Sequence, residues 1–326
     1  MNPYVFVVGC PRSGTTLLQR MLDHHPLLAV ANDSHFIPHG IEDGSAVDPP
    51  LTPEIVDRVR TYRRFYRLGL PDEAVDGAAA RARTYSEFVG ALYDELALAR
   101  GKQLAGEKTP TYVRHLPLLH GLFPAARVVH IIRDGRDVTL SALGWATETK
   151  GPGKLRLWRE EPVAVSALWW RRNVRAGRRD GRDLGPARYR EVHFEALVER
   201  PRETVGGLLG FLALRFARET LTFHEGKIRR DPGLSTKKAW LPPTPGLRDW
   251  RKEMPSREVE LFEALAGDLL AELGYERRFD AISPAVAAVA RRCRWRWEAE
   301  LGERRRRAGD GRTRGVSARI AGRLRS

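Results

Sequence analysis

Residues 4–26, YVFVVGCPRSGTTLLQRMLDHHP, constrain the fold of this chain more than any other stretch. The apolar, β-branched-rich run at 4–8 is long enough for a buried strand. Gly9 ends the run, Pro11 stiffens the turn that follows, and Gly14 permits a backbone conformation costly to other residues. From Thr15 onward Leu17, Leu18, Met21 and Leu22 fall on one helical face, and Pro26 closes the segment. A strand, a glycine-bounded turn and a helix in this order aim backbone N–H groups and a helix dipole at one point. That is the geometry of an anion site.

The spacing of Gly9 and Gly14 matches the nucleotide-triphosphate loop G-x-x-x-x-G-K-[ST], and Thr16 fills its hydroxyl position. Thr15, however, stands where the lysine belongs, so the usual cation for β- and γ-phosphates is missing, and no evident magnesium carboxylate replaces it. Arg12, inside the loop, is the substitute cation. The plain alternative is a strand–turn–helix with chance glycines, against which P-R-S-G-T-T gathers many phosphate-binding groups.

The residues PRSGTT resemble the 5′-phosphosulfate loop of sulfotransferases that use 3′-phosphoadenosine-5′-phosphosulfate (PAPS). The longer PRSGTTLLQRMLDHHP is most similar to the tyrosylprotein-sulfotransferase branch and its soluble bacterial relatives. The resemblance implies an α/β, P-loop NTPase-like three-layer sandwich, a central parallel sheet with helices on both faces. It also implies PAPS as sulfuryl donor, held by Arg12, Ser13, Gly14, Thr15 and Thr16, and no metal.

Later motifs extend the resemblance to about residue 280. A second short strand at 27–31 leads into Asn32-Asp33-Ser34-His35, and ligands of parallel sheets bind at such carboxyl ends. By resemblance Asp33 is the catalytic base that takes the acceptor's hydroxyl proton, where the family usually has glutamate. His35 is the alternative base, since its unperturbed pKa suits proton transfer at neutral pH. Read alone, without the flanking match, Asp33 is better explained as a loop or capping aspartate. In Gly106-Glu107-Lys108-Thr109-Pro110 the family's lysine holds the oxygen bridging phosphate and sulfate. Lys108 takes that role, a fixed ammonium for charge that builds as the bond breaks.

The strand-like run 127–132 is followed by Arg133-Asp134-Gly135-Arg136-Asp137 and a helix at 138–143. Arg133 and Ser141 match the family's 3′-phosphate clamp, a planar guanidinium fork plus a hydroxyl. Arg136 has Asp134 or Asp137 as its ion-pair partner. Phe194 replaces the family's tyrosine, which contacts the adenine through its hydroxyl. Ser235, Thr236, Lys237 and Lys238 are further candidates for the 3′-phosphate, and Trp240 or Trp250 for covering the adenine.

Charge and composition separate the rest. Of the net +15, nine charges lie in residues 281–326, which hold 13 arginines and 4 acids. Two domains are therefore expected, 1–280 and a basic helix and tail at 281–326. In the tail Val286, Ala290, Cys293, Trp297 and Leu301 share one helical face, which either packs on the domain or lies on an anionic membrane. The Gly/Arg-rich end reads as disordered. Upstream, 36–53 reads as a loop, 54–68 and 85–100 as helices, the second with a Thr84/Glu87 capping box. Arg58, Arg60, Arg63, Arg64 and Arg67 read as a solvated face that an acidic acceptor could also use. No apolar run approaches 18 residues, no secretory n-region and h-region open the chain, and two cysteines make no disulfide framework. The expectation is a cytoplasmic protein.

Two other classes fit parts of these features: a P-loop kinase-like phosphotransferase, and a basic nucleic-acid- or membrane-binding protein on an idle P-loop scaffold. No specific nucleic-acid partner is expected under the sulfotransferase reading. Its acceptor is left open among tyrosine, carbohydrate, lipid and small-molecule hydroxyls.

Overall fold

The first strand is apolar at every position, and its alternation divides those side chains between two faces. Tyr4, Phe6 and Val8 belong to one buried cluster. Val5 and Val7 belong to another. A strand buried on both sides needs cover on both sides, and the computed structural model has that arrangement. It describes residues 3–41, 46–225 and 241–323, with side chains as far as Arg307.

Five strands form one all-parallel sheet: β1 (Val5–Gly9), β2 (Leu28–Asn32), β3 (Leu104–Lys108), β4 (Arg127–Ile132) and β5 (Tyr189–His193). Their spatial order is β2-β3-β1-β4-β5. One face is packed by Phe88, Val89, Leu92 and Leu96 of the helix Tyr85–Ala99, with Ile55, Val59 and Leu119 from shorter helices. The other is packed by Leu18, Met21 and Leu22 of Thr15–Asp23 and by Val205, Leu208 and Leu209 of Pro201–Phe211. Each such fully buried aliphatic side chain contributes about 1.5–3 kcal/mol. The chain leaves β1 toward β2 on one side and later returns to β4 on the other. That reversal puts a crevice at the carboxyl end of β1.

The chain divides into two compact units, 1–133 with 172–247, and 134–171 with 248–326. The sheet lies in the first. This division departs from the boundary expected at 280. The helix Pro284–Arg323 belongs to the second unit, and it buries Val286, Ala290, Cys293 and Trp297 there. Glu300 accepts the backbone N–H of Arg156 at 2.9 Å, and Arg296 pairs with Glu160. The apolar stripe is thus packed within its own unit. The Gly/Arg-rich end, expected to be disordered, continues the helix to Arg323. After Pro284 it contains no proline, and arginine and alanine are strong helix formers.

Three local readings change. The segment expected as one helix at 54–68 is a helix Pro53–Arg60 followed by a short turn Phe65–Leu68. The break lets Phe65 meet Phe36 edge-on at 5.5 Å in the core. The helix Asp72–Arg81 was not foreseen; its small residues give a weak apolar period. Thr84 caps Glu87 N–H as expected, but the glutamate reaches back to Arg83 N–H instead of closing the box.

Candidate active site

All five strands end at stretches that the sequence singled out. The turn after β1 is closed by the Ser13 N–H donating to Cys10 O at 3.1 Å, and Gly14 then starts the helix at φ 91°. Two contacts require glycine here. A Cβ on Gly9 would stand 2.5 Å from the Ile131 carbonyl, and one on Gly14 would stand 2.3 Å from the Phe194 ring. Arg12 also has positive φ, 80°. The first-turn amides of an α-helix have no partner within the helix. Beside them the Ser13 hydroxyl is fully buried with no hydrogen-bond partner. Buried hydroxyls are nearly always satisfied. A loop of amides with an unsatisfied buried hydroxyl fits an anionic group of a bound nucleotide. Thr15, in the lysine position, is buried.

At the end of β2, Asp33 and His35 are both left-handed, with φ 69° and 62°. Only four non-glycine residues among those described have positive φ, and three are Arg12, Asp33 and His35. Such backbone strain, about 1–3 kcal/mol per residue, persists where surroundings over-determine it. Lys108, the last residue of β3, is buried and holds Nζ 3.5 Å from Asp33 Oδ1. His35 Nε2 stands 3.1 Å from the same oxygen, and its Nδ1 stands 3.1 Å from Thr111 Oγ1. The three residues expected to carry the chemistry are therefore in one cluster.

Three partners of that cluster depart from the sequence-based expectation. Arg64 and Arg67, expected on a solvated face, reach Asp33 Oδ2 at 3.2 and 3.5 Å. The break after Arg60 turns them inward. Glu107, which the sequence marks only as part of the 106–110 motif, is wholly buried beneath the Asp33–His35 turn. Its oxygens accept from Ser34 N, Ser34 Oγ, His35 N, Thr109 Oγ1 and Tyr93 Oη. The available signal was a carboxylate at a strand position where apolar residues are the rule.

Arg133 follows β4 and is largely buried, with its guanidinium 4.4 Å from the centroid of the Phe194 ring. Phe194, which follows β5, therefore packs Gly14 and Arg133 together. Ser141 lies on the helix Gly135–Leu143 of the second unit. There Arg136 pairs with Asp134 and with Glu263, each at 2.8 Å. Asp137 instead accepts the Trp250 N–H at 2.9 Å. Trp250 is buried with the Arg136 guanidinium 3.6 Å from its ring. Ser235, Thr236, Lys237, Lys238 and Trp240 lie outside the described residues. Among the described residues no group of three or more His, Cys, Asp or Glu is placed to hold a metal ion, and no helix is long and apolar enough to cross a membrane.

A parallel sheet with an anion loop at its switch point, and a lysine–carboxylate cluster one strand away, defines a P-loop-like group-transfer fold. Comparison with known proteins names the family. The sulfotransferase family model matches residues 3–218, and this chain belongs to that family. Protein-tyrosine sulfotransferase 2 of Gallus gallus is 24% identical over 282 residues, covering 84% of this chain and 70% of that protein. Nodulation protein NoeE of Sinorhizobium fredii is 28% identical over 291 residues, covering 83% and 66%. The same fold occurs in the sulfotransferase domain of the Synechococcus PCC 7002 olefin synthase. Its TM-score is 0.61 at 24% identity, covering 84% of this chain and 95% of that one.

Proposed function

We propose that this protein transfers a sulfuryl group from PAPS to an acceptor hydroxyl. The observation that carries the reading is the 3.5 Å pairing of Lys108 Nζ with Asp33 Oδ1 at the carboxyl ends of adjacent strands. It brings a buried cation and a proton acceptor to one point beside the strand that bears the anion loop.

When bound, the donor supplies an electrophilic sulfur and an anionic nucleotide as leaving group. The loop amides, the Ser13 hydroxyl and Arg12 hold its 5′ end, and Arg133 takes the 3′-phosphate. Phe194 offers an apolar ring in place of the hydroxyl that the family's tyrosine uses. Lys108 neutralises negative charge as it develops within its reach, without reorganisation, because burial fixes its ammonium. Asp33 takes the acceptor's proton at its carboxylate. His35 shares Oδ1 with Lys108 and is the second proton carrier of the pair. Arg64 and Arg67 tie down Oδ2 and so fix the orientation of the carboxylate.

The acceptor is a hydroxyl compound. A tyrosine phenol is one candidate, as the name of the Gallus gallus relative suggests, and sugar, lipid and small-molecule hydroxyls are the others. A phosphotransferase would need a replacement for the Walker lysine, and Thr15 offers none.

Calorimetry with 3′-phosphoadenosine-5′-phosphate (PAP) tests the reading. Binding without metal is expected, weakened at least tenfold by Arg133→Ala and kept by Lys108→Ala. Loss of the lysine is expected to lower kcat about 10²–10³-fold. Ser141→Ala tests the hydroxyl that the resemblance pairs with Arg133. Equal or tighter binding of ATP–magnesium would overturn the sulfotransferase reading in favour of phosphoryl transfer.

A further inference from the structure

We infer that Glu107 is the positioning residue of this site: its buried carboxylate clamps the Asp33–His35 turn and so sets the base against Lys108. The inference rests on the reading of Asp33 and His35 as the proton-accepting pair.

The turn has an unusual requirement. Asp33 and His35 are both left-handed, with Ser34 between them, and each left-handed position is unfavourable for an L-residue. Something must hold the backbone there. Glu107 Oε1 accepts Ser34 N–H at 3.1 Å, His35 N–H at 3.2 Å and the Ser34 hydroxyl at 2.6 Å. The clamp is fastened from the other side, where Tyr93 Oη donates to Oε2 at 2.8 Å and Thr109 Oγ1 donates to Oε1. Consecutive amides closing on an anion form a nest. Here the anion is the protein's own.

Strand geometry links the clamp to the chemistry. Successive β3 residues point to opposite faces, so Glu107 reaches beneath the turn while Lys108 reaches the Asp33 carboxylate. The backbone joins in, with Asp33 N–H donating to Lys108 O at 2.7 Å. Thr111, further along the same segment, stands at His35 Nδ1. Residues 107–111 therefore hold the position of Asp33, the orientation of the His35 ring and the ammonium that faces them.

The variants Glu107→Asp and Glu107→Gln in the full chain separate reach from charge. Aspartate keeps the charge but withdraws the carboxylate by one methylene. Glutamine keeps an oxygen at the same reach and turns its N–H₂ toward the Tyr93 oxygen. Amide hydrogen exchange at residues 33–37 is read by mass spectrometry, the nucleotide site by PAP calorimetry, and turnover with PAPS and 4-nitrophenol as the hydroxyl probe. E107D is expected to speed exchange of the Ser34 and His35 amides at least tenfold and to lower kcat at least tenfold, with PAP affinity within threefold of wild type. E107Q is expected to stay within threefold in all three.

Exchange within twofold of wild type in E107D, or loosening spread equally over β1 and β4, would overturn the clamp. If E107D does not fold, Ser34→Ala decides: losing one hydrogen bond should speed exchange of the His35 amide about fivefold, and no change would overturn the inference. Failure of wild type to bind PAP would count against the proposed function, whereas the exchange result judges the clamp regardless.

Discussion

Replacing Gly14 by alanine tests the contact on which the nucleotide loop is built. Two separate costs arise. An L-residue at φ 91° is strained, at about 1–2 kcal/mol. The new methyl would also stand 2.3 Å from Phe194 Cδ2 and 2.7 Å from Cε2, and overpacking of this kind costs about 1–3 kcal/mol. Together G14A should lose about 2–5 kcal/mol. Phe194→Ala alone removes a half-buried ring and its cation–π contact with Arg133, the contact being worth about 0.5–2 kcal/mol. In the double variant the methyl meets no ring, so only the conformational strain remains of the G14A cost. The pair should therefore be less destabilised than the sum of the singles by about 1–3 kcal/mol. Urea unfolding of all four proteins at equal m-value measures this. Additivity within about 0.5 kcal/mol would refute the argument, showing that Phe194 does not bear on the loop.

Other consequences are as open to measurement. Arg136 is fully buried between Asp134 and Glu263; Arg136→Leu strands two carboxylates and should cost about 3–5 kcal/mol in chemical unfolding. Burial, with Arg178 and His193 nearby, holds the His130 imidazole down at about 3 against an ordinary 6.5. The unfolded chain takes up that proton near 6.5 and the folded chain does not. Stability should therefore fall as pH drops from 6.5 toward 3, by up to about 1.4 kcal/mol per pH unit. His130→Asn should flatten the dependence of Tm on pH in that window. Trp297→Ala should destabilise the second unit by about 3–5 kcal/mol, seen in thermal unfolding; no change would mean that the C-terminal helix is dispensable to it.

Most of the scaffold was legible because it obeys local rules. The run at 127–132 forms a strand with those bounds, since β-branched residues in a short apolar run have few alternatives. The β1–turn–helix unit was equally plain, because glycine at 9 and 14 answers steric demands that alanine fails. Where patterns were weak, the reading slipped. Residues 54–68 have a helical period throughout, but the core needed Phe65 beside Phe36, and the helix broke to supply it. Arg64 and Arg67 then turned toward Asp33, a consequence that no local pattern encodes.

The sequence by itself marked the stretches that lie at the strand ends: the 10–16 loop, Asp33, the 106–110 segment with Lys108, Arg133 and Phe194. In a parallel sheet the carboxyl ends face one way, so marking them suffices to collect them on one edge of the sheet. Only the tertiary structure decided what each of them touches. Lys108 lies 75 residues from Asp33 and Glu107 lies 73 from Ser34, and they meet because β3 inserts between β2 and β1. Contacts made across strands depend on strand order, and strand order is settled by how two apolar faces are covered at once.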